Sequence, residues 1–278
     1  SSADRYKLEL ALSSKVNDSV TAVAGLRTGS VNSSYIDYGN NGATDAININ
    51  LAYVDWKVAD GVKVTIGKQN QPWADSSSYL FDRDVKPTGF SAAYSNKLGV
   101  FANVAQLSLV EGNAAADARV QSVQLGYGKS LLGVDLKGAV GQYKYANVGS
   151  PYTVNQVFVT ASKKVAGLPV SAFYETLSNT DAATAKTAKA AGVKIGGASA
   201  PKTWEVSYAH QTNENNSQYG LWNDSEFAGG QGNYDGNAIS AAYVVSKGFK
   251  VAAKSFDSNR GTPRAAFKRT QFDLTYSF

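Results

Sequence analysis

From Arg5 onward the chain alternates residue by residue. Tyr6, Leu8, Leu10 and Leu12 share one parity, and Arg5, Lys7, Glu9 and Ser13 share the other. A period of two is the mark of a strand with one apolar and one polar face. The pattern returns in Ile47, Ile49, Leu51 and Tyr53 against Asn48 and Asn50, and in Val62, Val64 and Ile66 against Lys63 and Thr65. It returns again in Val134 and Leu136 against Asp135 and Lys137, and in Trp204, Val206 and Tyr208 against Glu205 and Ser207. Strands are predicted at about 5–15, 18–29, 45–58, 62–71, 88–96, 98–111, 118–130, 132–145, 153–165, 168–179, 187–198, 201–213, 235–246, 248–258 and 266–278. The helix-favouring stretch Ala182 to Ala191 falls between two of them and is read as a loop and strand start.

Most of these segments run to about ten residues or more, whereas a globular strand averages about five or six. Ten tilted residues are what a bilayer core requires. The connections alternate in length. Short turns fall at Asn17-Asp18, Asp60-Gly61, Asn96-Lys97, Ser130-Leu131, Ala166-Gly167 and Lys247-Gly248. Longer polar loops fall at roughly 30–44, 72–87, 146–152, 180–186, 214–234 and 259–265. One tight rim and one elaborated rim predict a transmembrane antiparallel β-barrel, all-β and a single domain over residues 1–278, with short periplasmic turns and long outer loops. Lipid offers the backbone no hydrogen-bond partner, so such a sheet must close. Fifteen strands in this chain would leave an odd count, and the expectation is a barrel of about sixteen strands whose first lies upstream of Ser1 or outside this numbering.

Composition narrows the class further. The 278 residues hold no break between halves, 26 Gly, 16 Tyr and only 6 Pro, with no Cys and no Met, which favours strands and turns and removes thiol chemistry. The longest apolar run free of charge, Leu98 to Val110, is shorter than the ~18 residues that argue a spanning helix. The net charge of +5 is scattered along the strands without a basic run, so nucleic acid is not an expected partner. No secretory signal is visible at Ser1, consistent with its prior removal or with a numbering that starts inside the mature chain.

The last strand, Gln271-Phe272-Asp273-Leu274-Thr275-Tyr276-Ser277-Phe278, places an aromatic or aliphatic side chain at every second position. Phe272, Leu274, Tyr276 and Phe278 resemble the terminal signal read by the outer-membrane assembly machinery. The chain also resembles the bacterial putative porin family of Gram-negative outer membranes. The resemblance rests on Arg5-Tyr6-Lys7-Leu8 through Lys15-Val16-Asn17-Asp18, Leu26-Arg27-Thr28-Gly29, Ala52-Tyr53-Val54-Asp55-Trp56-Lys57 and Gly61-Val62-Lys63-Val64-Thr65-Ile66-Gly67-Lys68. Phe81-Asp82-Arg83-Asp84 leading to Thr88-Gly89-Phe90, and Asp224-Ser225-Glu226-Phe227, extend it. It implies one more strand upstream and passive diffusion of small hydrophilic solutes and ions through a water-filled pore, with no cofactor and no particular solute. It also implies outer-membrane lipids as surroundings, and a homotrimer is the expected assembly.

In general porins, which the chain resembles in architecture, the loop corresponding to 72–87 folds into the lumen. Here it carries Trp73, Asp75, Tyr79, Asp82, Arg83, Asp84 and Lys86, a set suited to a constriction that sorts solutes by size and charge. Strand parity turns Arg5, Lys7, Glu9, Arg27, Lys63, Asp135, Lys137, Lys194, Glu205, Lys250, Lys254, Arg269, Gln271 and Asp273 towards the lumen. That wall is mostly basic, and facing acidic loop residues it would set a transverse field. Tyr6, Tyr53, Trp56, Tyr127, Trp204, Tyr208, Tyr243, Tyr276 and Phe278 are candidates for interfacial girdles.

Catalysis finds no foothold. His210 is the lone histidine and follows the outward parity of Trp204, Val206 and Tyr208 near a loop end, which places it at the membrane rim. Gly126-Tyr127-Gly128-Lys129-Ser130 lacks the first glycine of a phosphate loop, with Val123 in its place. The carboxylate pairs Asp82 and Asp84, or Asp224 and Glu226, could serve Ca²⁺ but lack a motif spacing and read as loop solvation, so no metal is expected. Two other classes compete with a pore. One is a non-conducting structural or surface-receptor barrel that binds a partner through its long loops. The other is a soluble all-β adhesin, which would have to bury its apolar faces.

Overall fold

The computed structural model describes residues 3–29, 35–37, 46–76, 80–110, 117–150 and 152–278. Fifteen strands form one sheet: β1 (Glu9–Lys15), β2 (Val20–Thr28), β3 (Ile47–Ala59), β4 (Val62–Lys68), β5 (Thr88–Ser95), β6 (Val100–Val110), β7 (Ala118–Leu131), β8 (Val134–Ala146), β9 (Tyr152–Val165), β10 (Leu168–Asn179), β11 (Thr187–Gly196), β12 (Trp204–Asn213), β13 (Tyr234–Ser246), β14 (Phe249–Arg260) and β15 (Ala265–Tyr276). Each pairs antiparallel with its sequence neighbours, and each coincides with one strand read from the alternation. The only helical elements among the described residues are two single 3₁₀ turns, Gly220–Trp222 and Ala228–Gly230.

The sheet is inside out relative to a soluble protein. Leu12, Ile49, Leu125 and Ile239 are more than half exposed, while Gln124, Gln156, Glu175 and Gln211 are almost completely covered. An apolar outer face that only lipid can solvate, around a polar interior, makes this a membrane-spanning barrel. The two edge strands, β1 and β15, are not hydrogen-bonded to each other and, being both odd in an antiparallel series, run in the same direction. The edges nevertheless approach one another. Tyr35 lies 5.4 Å from the Lys7 amine and within electrostatic range of Lys254 on β14 and Asp273 on β15.

Local departures from the predicted pattern have identifiable causes. The first predicted strand breaks: Arg5–Tyr6 leaves the sheet to pair with Ile36–Asp37, and β1 begins at Glu9. In β3 the partner of Gly25 is Leu51 and that of Leu26 is Ile49, so Asn50 is an extra, unpaired residue. A bulge of this kind shifts the pleat by one. Ile47 and Ile49 therefore face outward with Val54 and Trp56, whereas Leu51, Tyr53 and Asp55 turn inward. Tyr53 thus faces inward, whereas Trp56, Tyr127, Trp204, Tyr208, Tyr243, Tyr276 and Phe278 are exposed. The β7–β8 turn sits at Leu132-Gly133, two residues beyond its predicted place. Both residues have positive φ (52° and 74°), the mirror-image turn whose twist suits a tight hairpin. Lys68 ends β4 three residues early, because Gln69 and Gln71 are recruited to the base of the following loop.

Candidate pore constriction

Segment 69–87 leaves β4 and returns to β5 through the barrel interior. Its base is stapled by two buried amides. Gln69 accepts from the Ser91 hydroxyl (2.6 Å) and donates to the Gly89 carbonyl (3.2 Å), and Gln71 donates to the carbonyls of Asp82 and Val85. Beyond that base the chain docks on the inner wall of β7–β10. The Gln124 side chain brackets residue 74, accepting from its N–H (2.8 Å) and donating to its carbonyl (2.6 Å). The Ser76 N–H and hydroxyl both donate to Glu175 (3.1 and 2.6 Å). Gln156 ties the wall together, donating to Glu175 (2.6 Å) and accepting from Gln124 (2.7 Å) and the Tyr143 hydroxyl (2.6 Å). A buried amide and carboxyl array of this kind is stable only when each group is satisfied, and here the loop backbone completes it.

Aromatic packing fixes the same region. Trp73 meets Tyr143, Trp222 and Phe81 with ring centroids 5.0, 5.5 and 5.7 Å apart, two of these pairs edge-to-face. Leu80 and Phe81 are buried with it. Trp222 belongs to the connection between β12 and β13, residues 214–233, which also turns inward, and its carbonyl accepts from the Asp82 N–H (2.9 Å). Tyr219 of that connection packs on Tyr145 of β8 and Tyr152 of β9 (5.8 and 6.4 Å). Phe227 packs on Tyr234 of β13 and Phe256 of β14 (5.0 and 5.8 Å).

The charged residues named from the sequence are distributed around this packing. Trp73 is 3% exposed and anchors the loop rather than lining a passage. Asp75 is ion-paired with Arg83, and its burial pushes its carboxyl up, opposed by the Arg83 charge. Burial likewise raises Asp82 and lowers Lys86, whose amine donates to the Arg83 carbonyl (2.5 Å). Asp84 lies 3.8 Å from Arg27 of β2, which also donates to the Asp84 carbonyl (3.1 Å). Tyr79 lies outside the described residues. The pairs Asp82/Asp84 and Asp224/Glu226 are two copies of one turn, in which the first carboxylate accepts from the second residue's N–H (2.8 and 2.9 Å), and this accounts for their spacing. Among the described residues no three potential ligand side chains gather into a metal site.

On the walls, Lys7 pairs with Glu9 (3.4 Å), Lys63 with Asp55 (3.0 Å), Lys194 with Glu205 (3.9 Å), and Lys254 with Glu226 (2.8 Å) and Asp273 (3.9 Å). Arg269 donates to the Ser225 carbonyl (3.4 Å) and Gln271 to Asp273 (2.7 Å). Lys137 lies over the Phe101 ring (5.1 Å); it and Asp135 belong to the short-turn end of β8, and Lys250 to that of β14. Arg5 stands in the two-residue pairing outside the sheet. His210 is exposed on the outer face, its Nδ1 3.0 Å from Asn237 Oδ1.

Residues 2–166 match the sequence family described as "Putative porin". The chain belongs to that family. Solved structures agree with this porin in fold alone. OprB of Pseudomonas putida superposes with a TM-score of 0.68 at 11% identity, over 99% of this chain and 88% of that one. OmpF of Salmonella typhi, solved in complex with daunomycin, gives 0.64 at 14% identity, over 99% and 91%. The outer membrane channel DcaP of Acinetobacter baumannii gives 0.53 at 13% identity, over 98% and 84%. No curated protein sequence matches the chain.

Gln124, Tyr143, Gln156 and Glu175 are not among the residues singled out from the sequence, and 214–233 reads there as an outer loop with its Asp224-Ser225-Glu226-Phe227 motif, not as an inward segment. Inward parity alone makes a glutamine look like pore lining. The signal that could have marked 214–233 is its content of Tyr219, Leu221, Trp222 and Phe227, too apolar for a loop that lies in water.

Proposed function

We propose that this porin allows passive diffusion of small hydrophilic solutes and ions across the outer membrane of a Gram-negative bacterium, with segment 72–87 narrowing a water-filled passage. The observation that carries this reading is the inward path of that segment, bracketed by Gln124 and Glu175 on the far wall. Asp82, Arg83, Asp84 and Lys86 then supply charges at the narrowing, with Asp84 against Arg27 of β2, and sort solutes by charge as well as size. No reaction is catalysed. Since β1 and β15 run in the same direction, one further strand, antiparallel to both, would close the seam and bring the barrel to sixteen. A homotrimer held in outer-membrane lipid, assembled through recognition of Phe272, Leu274, Tyr276 and Phe278, is the form we expect in the cell.

The test is electrical. Purified protein added to a planar bilayer is expected to give stepwise conductance increments. Insertion without conductance would overturn the diffusion reading and favour a non-conducting barrel that binds a partner through its loops. The burial of Trp222 and Phe227 inside the barrel speaks for that alternative.

A further inference from the structure

We propose that segment 214–233 is a second arm of the constriction and that Glu226, clasped by Lys254 and Gln271, sets the charge preference of the passage. The inference rests on the diffusion reading above and goes beyond it, because it assigns selectivity to a connection on the opposite side of the barrel from 72–87.

The segment is anchored at both ends. At its start, Asn213 donates to Asn223 (2.8 Å), Gln218 donates to the same oxygen (2.8 Å), and Asn179 of β10 donates to the Asn216 carbonyl (2.8 Å). Towards its end, Phe227 is sunk between Tyr234 and Phe256, and Arg260 donates to the residue 228 carbonyl (2.6 Å). Between these anchors it touches the first arm: the Asp82 N–H donates to the Trp222 carbonyl (2.9 Å), and the Asp82 carboxyl lies near enough to the Ser225 backbone to be influenced by it. The two arms therefore form one frame.

Between the anchors, Glu226 turns to β14 and β15 and remains partly exposed. Glu226 Oε2 is 2.8 Å from the Lys254 amine, Oε1 accepts from Gln271 (3.4 Å), and Lys254 is also 3.9 Å from Asp273. One lysine is thus shared by two carboxylates, with the Arg269 guanidinium beside them on the Ser225 carbonyl, so neutralising Glu226 or Lys254 tips the balance of the cluster in opposite directions. Tyr35, whose ring lies under the Lys7 amine (5.4 Å), is within electrostatic range of Glu226, Asp273 and Lys254, which brings the cluster near the Lys7–Glu9 pair at the start of β1. In a narrow, poorly screened passage, single charges of this kind weigh on which ions enter.

The experiment measures reversal potential across a bilayer under a salt gradient. Glu226→Gln keeps the side-chain shape and is expected to lower the cation-to-anion permeability ratio by about twofold, and Lys254→Gln to raise it by a similar factor. Asp84→Asn serves as the first-arm comparison. If the unaltered protein conducts and Asp84→Asn shifts the potential while neither second-arm variant does, this inference falls and the diffusion reading stands. If the unaltered protein is silent, both fall. Because the chain has no cysteine, the frame itself can be tested with Asp82→Cys combined with Ser225→Cys. Oxidative cross-linking of the folded protein is expected, and its failure would overturn the contact between the arms.

Discussion

The wall of β7–β10 and the wall of β14, β15, β1 and β2 are built on the same two-residue repeat, yet they present opposite inner surfaces. On the first, Gln124, Tyr143, Gln156 and Glu175 are nearly or fully covered; Gln124, Gln156 and Glu175 bond to the backbone of residues 74 and 76, and the Tyr143 hydroxyl bonds to Gln156. On the second, Lys7, Glu9, Lys254 and Asp273 remain partly exposed, paired with one another or with loop carboxylates. An inward loop must satisfy its own peptide groups and bury its aromatics. Neutral amides and rings accept both, whereas a wall of lysines and carboxylates would have to give up hydration for imperfect pairing. The dry wall therefore receives the tip of the first inward segment, whereas the charged wall holds the second through Phe256, Arg260 and the Lys254–Glu226 pair and keeps its charges partly exposed.

The largest test of this contrast removes the anchor of the dry side. Trp73→Ala takes away a ring in contact with Tyr143, Phe81 and Trp222 and is expected to cost about 3–5 kcal/mol of loop docking. Single-channel conductance should rise and residues 72–87 should become cleavable by added protease; an unchanged conductance would mean that the aromatic cluster does not hold the narrowing. Gln124→Leu comes next. It leaves the N–H of residue 74 without its partner and the carbonyl with only the longer bond from Gln156 (3.4 Å), at about 1–3 kcal/mol, and should increase open-channel current noise without abolishing insertion.

A smaller effect is expected from pH. Burial, the neighbouring Glu226 and Asp82 of the first arm push the Asp224 carboxyl up to about 7, opposed by the Glu226 N–H and Lys254 of β14. A raised carboxyl binds its proton more tightly in the docked state. The resulting stabilisation is complete below the ordinary value of 3.8 and is lost as the pH rises to about 7. Proteolysis within 214–233 should therefore be faster at about pH 8 than at about pH 5, and Asp224→Asn should flatten that dependence. The smallest effect belongs to Lys63→Gln. Its pair with Asp55 is half exposed and contributes under about 1 kcal/mol, so conductance and thermal stability should stay unchanged. A large loss there would show that the charged lumen is held together as tightly as the dry wall.

Much of this molecule was legible before any coordinates. The number of strands, the outward placement of Leu10, Leu136, Val206 and Phe272, and the alternation of short and long connections all follow from local signals. Side-chain parity and turn chemistry operate over two to four residues, and lipid on one face enforces them along every strand. Even so, one extra residue at Asn50 reversed the facing of Leu51 and Tyr53, because a bulge is decided by the register with β2 and leaves no trace in the alternation itself. The charges of 72–87 were visible, but the roles within that loop were not. Trp73 reads as a pore aromatic in sequence and becomes a buried anchor only because Tyr143 and Trp222 converge on it. Ser76 finds Glu175 across 99 residues of chain, and residue 74 finds Gln124 across 50. What the chain determined by itself was which way each strand faces. Which wall the loops would choose was decided by the closing curvature of the sheet, since only there do amides and rings from distant strands meet to satisfy a peptide group withdrawn from water.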